Sequence, residues 1–565
     1  MIEKLYAKNY KSFPKLELEI ANINVLLGAN SCGKSSITNL LLMLSQTADT
    51  VESYQSLFRL NGSKSSLGEA ANIFPDKKID EIITVGWSLA DGIIERKRLT
   101  IPALFDSLEE YMRMAYIRIR RLEIINKNKN KNKNEYKIRV DERDSIIGAI
   151  EHISNYFMFL SAVDEKKSDA EGFKKTLFKH IRSFNKIIKQ YSDEESFSAF
   201  KPISQNKLKD LIETLKVIDG YPSNEVGKKI EYQVSYNKAL EECKLKQVII
   251  FDALGSIIIK VTVSESKKIE LYSEVISNEL IQKYRLDIVR DLDESSLSLI
   301  SNSSFKVNAE NPFASYVQQI ISTSCQTFLE QLAGTKINHV SPLRAFPQRY
   351  YLLEKSAQHS TLNANDGSQL AEILKNNPLI LEQVNLLFKD FDLKISTAKT
   401  NDIIHRITVK QNNVTVELTD VGFGISQVLP ILVQALLCPN DSITIIEQPE
   451  IHLHPRMQAW LTNAIVRMST KDNKKFIIET HSDTIIKRLQ LLMLDPDTKF
   501  NAGDLNLYHL ERQINGHTSI KNVPLNDLGE ISWPVGFMDQ EIQDAIKLQE
   551  LKVKKLRKNR ELVNV

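Results

Sequence analysis

The sequence predicts an α/β protein whose N-terminal and C-terminal parts are separated by a mainly helical insertion. The first observation is a short apolar run at 23–27, which leads directly into a glycine-rich loop and then into an amphipathic segment. The second is the return of alternating strand-like and helix-like segments after residue 305, as a parallel sheet with helical connections requires. The third is the intervening stretch, 104–304, which carries long helical patterns of polar and apolar residues.

The loop after the first apolar run has the spacing of a phosphate-binding loop, Gly28-x-x-x-x-Gly33-Lys34-Ser35. In such a loop the backbone N–H groups point into one concavity, and the next helix contributes the positive end of its dipole. The lysine reaches the β- and γ-phosphates, and the serine hydroxyl ligates Mg²⁺. A chance match in a glycine- and serine-rich turn is the alternative. A strand before the loop and a helix after it are the context that a true P-loop needs, so we predict a nucleotide site.

Length, charge and cysteine usage limit the class of protein. A chain of 565 residues is too long for one compact core and predicts two or three domains. The formal net charge of +3 gives no argument from the whole chain for nucleic-acid binding. No long apolar run or apolar N-terminal signal region is present, which predicts a soluble, cytoplasmic protein without a membrane span. Four cysteines without paired or metal-type spacing fit a reducing cytosol: Cys32, Cys243, Cys325 and Cys438.

The segment 1–103 is predicted to form an N-terminal lobe. Ile2 to Tyr10, followed by apolar residues alternating with charges, predicts an antiparallel hairpin ahead of the P-loop strand. Further strands are predicted at 82–89 and 93–101.

The insertion, 104–304, is predicted to be mainly helical, with strands at 248–263 and 269–275 near its base. Its helical patterns cover 108–126, 144–164, 173–191 and 207–217. The repetitive run Lys127 to Asn134 is either a solvated hairpin tip or a basic finger on a phosphate backbone. The basic finger would also use three arginines: Arg118, Arg120 and Arg121.

Three polar motifs follow in the segment 305–510, one at the start of an apolar run and two at the ends of apolar runs. Gly422, Gly424 and Ser426 open an apolar helix and describe a second anion site. A buried strand then ends in Glu447-Gln448-Pro449-Glu450, and another ends in Glu479-Thr480-His481. The histidines of Ile451-His452-Leu453-His454 are either a metal pair or part of a structural turn. Arg344, after an earlier strand, either stays on the surface or faces a phosphate.

These motifs, in this order, resemble those of ABC/SMC/RecF-type ATPase heads. The resemblance assigns Asn30 to the marked position of GxNxxGK[ST], the glycines and serine near 424 to the signature, Glu447 to Mg²⁺ held through water, and His481 to the γ-phosphate switch. The residues thereby implied in binding ATP and Mg²⁺ are Gly28, Asn30, Gly33, Lys34, Ser35, Ser36, Gly422, Gly424, Ser426 and Glu447.

Within that class, the flanks 1–100 and 305–565 are similar to AAA-15/AAA-21 ATPases related to OLD and RecF-like proteins, and 511–565 is similar to the extension called DUF3696. The PtuA-type ATPases of Septu and retron antiphage systems belong to the same group. This resemblance implies a homodimer or higher homo-oligomer and an HNH-type nuclease partner. In retrons it also implies a reverse transcriptase with its DNA–RNA product.

Gln448 departs from the Asp-Glu order of most ABC-type Walker B motifs. An amide orients water but cannot accept its proton, so slow hydrolysis is expected unless Glu450 or His481 acts as the base. A DNA-repair ATPase of the RecF or Rad50 type is the alternative function. A nuclease of the OLD type would need a TOPRIM cluster, for which the residues after Leu510 are too few.

The C-terminal tail, 547–560, is rich in basic residues on a predicted helix. A solvated helix is one interpretation, and a nucleic-acid contact is the other. The residues concerned are Lys552, Lys554, Lys555, Arg557, Lys558 and Arg560.

Overall fold

The fold is that of a computed structural model. It describes residues 1–50, 56–90, 111–121, 124, 147–148, 170–190, 200–204, 227–264, 268–290, 292, 297, 311–342, 344, 347–352, 369–401, 404–534, 544 and 546–555.

The strands, in chain order, are β1 Ile2–Tyr10, β2 Phe13–Glu19, β3 Ile23–Gly28, β4 Ile83–Leu89, β5 Lys229–Asn237, β6 Glu242–Phe251, β7 Ile257–Val263, β8 Ile269–Tyr272, β9 Ile337–Val340, β10 Tyr351–Leu352, β11 Leu393–Lys399, β12 Ile404–Gln411, β13 Val414–Glu417, β14 Ile443–Glu447, β15 Lys475–Glu479, β16 Leu505–Arg512 and β17 Thr518–Asn522. The helices are α1 Lys34–Ala48, α2 Ala170–Gln190, α3 Asn278–Lys283, α4 Arg285–Val289, α5 Pro312–Glu330, α6 Leu370–Asn376, α7 Pro378–Phe388, α8 Phe423–Leu437, α9 Pro455–Asp472 and α10 Asp483–Leu494.

A seven-stranded antiparallel sheet begins at the N-terminus, with the order β2-β1-β4-β5-β6-β7-β8. The hairpin expected from the alternating apolar residues is confirmed, because β1 pairs antiparallel with β2 and Tyr10 lies opposite Phe13. Both rings are fully buried, so the closed end of the hairpin is anchored in the core.

Strands β5 to β8 extend this N-terminal sheet, although they lie within the stretch 104–304. The sequence placed strands at 248–263 and 269–275 near the base of the insertion, and it missed β5. In the structure β5 pairs antiparallel with β4, and Trp87 stacks on Tyr232 at a centroid separation of 5.8 Å. The free edge of β4 is thereby covered, which a buried sheet requires.

A second, six-stranded sheet holds the P-loop strand and has the order β17-β16-β3-β15-β14-β9. The neighbours from β16 to β9 pair in parallel, and β17 closes the edge as an antiparallel strand. Strand β16 crosses the predicted boundary at 510/511, and β17 lies beyond it, so part of the segment 511–565 belongs to this sheet. The carboxyl ends of β3, β14 and β15 meet at one edge, where parallel sheets place their ligands.

Helix α1 lies between the two sheets. Its apolar residues pack in a core shared with the N-terminal sheet and with one face of the six-stranded sheet, to which Leu26 of β3 contributes. The opposite face, including Val25 and Leu27, packs on α8, α9 and α10. Successive residues of β3 therefore face opposite sides of the sheet, and both sides are buried, as a central parallel strand requires.

The predicted helix at 173–191 is confirmed by α2, which packs on a helical segment at 111–121 within the predicted 108–126. Tyr111 contacts Phe184 edge to face, with ring centroids 6.2 Å apart. The predicted helices at 144–164 and 207–217 and the strand at 93–101 fall almost wholly outside the described residues, and the run 127–134 wholly so. Across the parts of the chain that the structure describes, no helix is long and apolar enough to cross a bilayer.

Candidate nucleotide-binding site

The P-loop connects β3 to α1 through two glycines with left-handed backbone conformations. Gly28 has φ +145° and Gly33, the N-cap of α1, has φ +106°. A Cβ atom on Gly28 would collide with the carbonyl oxygen of Leu510 on β16 and lie 2.8 Å from the sulfur of Cys32. Glycine is therefore required at 28 both by the backbone and by the close approach of β16.

Substitution of Gly28 by Ala is expected to lower the free energy of unfolding by about 1–3 kcal/mol more than the substitution Gly255→Ala does, because overpacking adds to backbone strain. Gly255 is the matched control, since its φ is +86° and a Cβ atom on it would meet nothing within 4 Å. Thermal melting of the two variants measures the difference. Equal melting temperatures would show that β16 gives way without cost.

The P-loop lines an open pocket of about 430 Å³. Its walls are formed by Lys11, Ser12, Asn30, Ser31, Gly33, Lys34, Ser35, Ser36, Gln448, Glu479 and Arg512. Lys34 is 4% exposed, and its ammonium group donates hydrogen bonds to the carbonyl oxygens of Gly28 and Ala29, each at 3.0 Å. The lysine is therefore held inside the loop that it would use to bind phosphate.

Two carboxylates stand at the ends of neighbouring parallel strands, since Glu447 of β14 is in register with Glu479 of β15. The Ser35 hydroxyl donates to Glu479 Oε2 at 3.3 Å. Thr38, one turn further along α1, donates to Glu447 Oε1 at 3.2 Å, and His339 Nε2 lies 3.1 Å from the same oxygen. Burial raises the pKa of Glu479, and the negative charge of Glu447 adds to this effect, while Lys34 and Ser35 oppose it.

Gln448 and Glu450 have different surroundings. Gln448 has a left-handed φ of 43°, donates its backbone N–H to the carbonyl oxygen of Glu479 at 2.7 Å, and lines the pocket. Glu450 accepts hydrogen bonds from the Thr480 hydroxyl and the His481 backbone N–H, each at 2.8 Å. Burial lowers the pKa of His481, with a further contribution from Lys34. Among the residues described, Glu450 and His481 are not part of the pocket wall.

The signature-like residues lie apart from this pocket. Gly422 is the N-cap of α8, and a Cβ atom on it would meet nothing within 4 Å. Gly424 is on the first turn, and Ser426 is buried. None of the three belongs to the described wall of the P-loop pocket. Within one chain, the two predicted anion sites are therefore not brought together.

Arg344 is buried, so of its two predicted placements the one on the surface is wrong. Its guanidinium group donates to the backbone oxygens of Glu447 at 3.2 Å and Gln448 at 3.3 Å. Burial lowers its pKa to about 10. It supports the backbone after β14, and it does not line the described pocket wall.

His454 has a structural role in the turn before α9. It is the N-cap of that helix, and its Nδ1 accepts the backbone N–H of Arg456 at 3.3 Å. Over the described ranges, no group of three or more His, Cys, Asp or Glu side chains is arranged to hold a metal ion.

In the basic tail, Lys552, Lys554 and Lys555 are exposed on a helix at 546–555. The remaining basic residues, 557, 558 and 560, lie outside the described residues.

Sequence reasoning assigned no role to Glu479, Thr38, His339 or Arg512. A signal for Glu479 was present, because a carboxylate that ends a buried parallel strand next to a P-loop strand falls at the ligand-binding edge. Arg512 had none, because only the pairing of β16 with β3 brings it to the loop.

The donor set fits a Mg²⁺–nucleotide. A P-loop lysine and the N-terminus of α1 suit phosphate, while the Ser35 hydroxyl and carboxylate oxygens suit Mg²⁺, which usually takes one or two carboxylates plus phosphate oxygens and water. Ser35 is therefore a ligand candidate, and Glu447 and Glu479 are the two nearby carboxylates.

A P-loop at the carboxyl edge of a parallel sheet, with an antiparallel sheet across its helix, defines an ATPase head of the ABC/SMC type. The chain belongs to the AAA ATPase domain family (AAA-15), whose match covers residues 1–486. Strands β16 and β17, which complete the sheet beside the P-loop, lie beyond that match.

Several solved SMC heads are distantly similar. An SMC head bound to the C-terminal winged-helix domain of ScpA has 10% identity and a TM-score of 0.36, covering 93% of this chain and 98% of its own. The SMC head domain from Thermotoga maritima has 8% identity and a TM-score of 0.30, covering 93% and 99%. An SMC head domain with a coiled coil and joint from Pyrococcus yayanosii has 12% identity and a TM-score of 0.28, and the match covers 93% of this chain and 98% of its own. Similarity at this level does not extend to function. No curated protein matches the chain.

Proposed function

We propose that this chain is a cytoplasmic, slowly hydrolysing ATPase subunit of a bacterial antiphage defence complex, in which ATP-dependent dimer engagement regulates a partner nuclease. The observation that carries the ATPase part is the pocket in whose wall Lys34, Ser35 and Glu479 lie together with Gln448.

Slow hydrolysis is supported by the chemistry of the pocket wall. Gln448 occupies the position after the Walker B acid, and its amide cannot accept a proton from water. Glu450, the nearest replacement in sequence, has both carboxylate oxygens engaged by Thr480 and His481. ATP would then bind tightly and hold the dimer in its engaged state, as a clamp. The extent to which ATP shifts the equilibrium is limited by the difference between its affinities for the open and engaged states.

A dimer is supported by the separation of the two anion sites. The P-loop pocket has its own lysine and hydroxyl groups, whereas the N-terminus of α8 presents Gly422 to open space. A symmetric pair of chains can complete both pockets, each with the α8 end of the partner.

The substitution Gly422→Glu is expected to weaken ATP-dependent dimerisation by several kcal/mol, because it places a negative charge against the γ-phosphate bound by the partner. Sedimentation equilibrium with ATP and Mg²⁺ measures the dimerisation constant, and fluorescent-nucleotide titration measures binding by the monomer. Gly422 has φ −48°, so the backbone accepts a side chain without strain.

Two controls accompany Gly422→Glu. Gly422→Gln separates size from charge, and Leu254→Glu adds the same charge at a position that is 91% exposed on the β6–β7 turn. A dimer of unchanged stability in Gly422→Glu would rule out this engagement mode.

The defence role and the nuclease partner rest on the resemblance of the motif set to PtuA-type ATPases. An HNH-type nuclease is the proposed partner, and a reverse transcriptase with its DNA–RNA product joins the complex if the system is of the retron type. Neighbouring genes and co-purification of the native complex test this. A DNA-repair ATPase of the RecF or Rad50 type instead requires that duplex DNA alone accelerates hydrolysis by the isolated chain.

A further inference from the structure

We propose that Glu479 directly ligates the Mg²⁺ ion of the bound nucleotide next to Ser35, whereas Glu447, the Walker B acid, holds that ion only through water. This inference rests on the proposed binding of ATP and Mg²⁺ at the P-loop. It concerns which of two neighbouring carboxylates reaches the ion.

Glu479 is built into the pocket. It ends β15, which pairs directly with the P-loop strand β3, and Glu479 lies in register with Leu26. Its side chain is 8% exposed, and the residue forms part of the pocket wall. Its backbone carbonyl accepts the N–H of Gln448 at 2.7 Å, so the strand end is fixed from both sides.

The contacts of Glu479 are those of a metal ligand next to a P-loop hydroxyl. Its Oε2 lies 3.3 Å from Ser35 Oγ, and its Oε1 lies 3.8 Å from Lys34 Nζ. Adjacent ligands of an octahedral Mg²⁺ at 2.0–2.1 Å lie about 2.9 Å apart, as the geometry of a right angle requires. The observed spacing of Ser35 and Glu479 is therefore close to that of two neighbouring ligands.

Glu447 is held elsewhere. Its Oε1 is contacted by the Thr38 hydroxyl at 3.2 Å and His339 Nε2 at 3.1 Å. Thr38 lies nearly one turn beyond Ser35 on α1, away from the loop. Glu447 is also missing from the described wall of the pocket, whereas Glu479 is present. Glu447 therefore positions α1 and His339, and it reaches the ion at most through water.

The charges around Glu479 allow a Mg²⁺ ion to replace Lys34 as the cation next to this carboxylate. The ammonium group of Lys34 lies near Glu479 and is satisfied by two backbone carbonyl oxygens. When phosphate attracts Lys34, Glu479 is left as a buried carboxylate that needs a new cation. A divalent ion at Ser35 supplies that charge, so metal and nucleotide are expected to bind cooperatively.

The test compares Glu479→Gln with Glu447→Gln by titrating a fluorescent ATP analogue in Mg²⁺ and in excess EDTA. We expect Glu479→Gln to bind nucleotide in EDTA at least as tightly as the native chain. The factor by which Mg²⁺ increases nucleotide affinity should be about 10-fold or more smaller in this variant than in the native chain. Glu447→Gln should keep most of that gain. The electron paramagnetic resonance spectrum of Mn²⁺ with ADP should show weakened binding in Glu479→Gln, with partial recovery in Glu479→Asp.

The opposite result, in which Glu479→Gln keeps the metal-dependent gain and Glu447→Gln loses it, would overturn the assignment and leave the ATP site in place. If the native chain binds no nucleotide with or without Mg²⁺, the proposed function itself fails. Thermal melting confirms that each variant is folded. Because binding in EDTA is measured on the same variants, a damaged pocket is distinguished from a lost metal ligand.

Discussion

The substitution Gln448→Glu is expected to raise the steady-state rate of ATP hydrolysis by about 10²–10⁴-fold, the usual contribution of a positioned general base. Gln448 already lines the pocket, and its backbone is anchored to the carbonyl oxygen of Glu479. A carboxylate of the same size would therefore stand where the amide stands and would accept the proton of the attacking water. Phosphate release at saturating ATP and Mg²⁺ measures the change.

Glu450→Gln is the companion variant. Because Glu450 is engaged by Thr480 and the backbone of His481, its neutralisation should shift the His481 loop and have little effect on an already slow rate. If the native chain turns over at ~1 s⁻¹ or faster, which is within the common enzyme range, and Glu450→Gln abolishes turnover, then Glu450 is the base and the clamp model is wrong.

Lys34→Met is expected to weaken ATP binding by about 2–5 kcal/mol, because it removes a buried cation from its phosphate partner. Lys34 is only 4% exposed and lies at the centre of the loop, between two carbonyl oxygens and Glu479. Isothermal titration with ATP measures the loss. Dimerisation that depends on ATP should disappear with it.

Lys64→Met is the matched control for Lys34→Met. Lys64 bonds the hydroxyl of Ser45 on α1 and pairs with Asp49 at 2.7 Å, but it lies outside the wall of the P-loop pocket. The variant Lys64→Met measures how much ATP affinity is lost when a lysine that supports the same helix is removed. Equal loss of ATP affinity in both variants would mean that the effect comes from α1 and not from phosphate binding.

The local motifs were readable from the sequence because their chemistry depends on spacing along the chain. The strand, glycine loop and helix at 23–48 follow one another directly, and the apolar alternation before them predicted the β1–β2 hairpin. The ends of β14 and β15 were likewise predicted from apolar runs that stop at carboxylates. These features need no knowledge of distant contacts.

What a residue contacts at the site was not readable in the same way. Glu450 stands in the Walker B motif, yet its oxygens face the backbone and hydroxyl of the next strand's turn. Glu479 received no role from the motif order, yet it is the carboxylate beside Ser35. Side-chain direction at a strand end depends on how the following loop turns, and an apolar pattern does not specify that turn.

By itself, the sequence determined the class of site, since the P-loop spacing and the strand before it leave few other structures for that segment. Only the tertiary structure decided that β5 to β8 extend the N-terminal sheet, and that β16 lies against Gly28. The tertiary structure also brought Ser35 and Glu479 to within hydrogen-bond distance. The physical reason is that strand order and register are set by long-range burial and pairing, and these are properties of the whole packed chain rather than of any one segment.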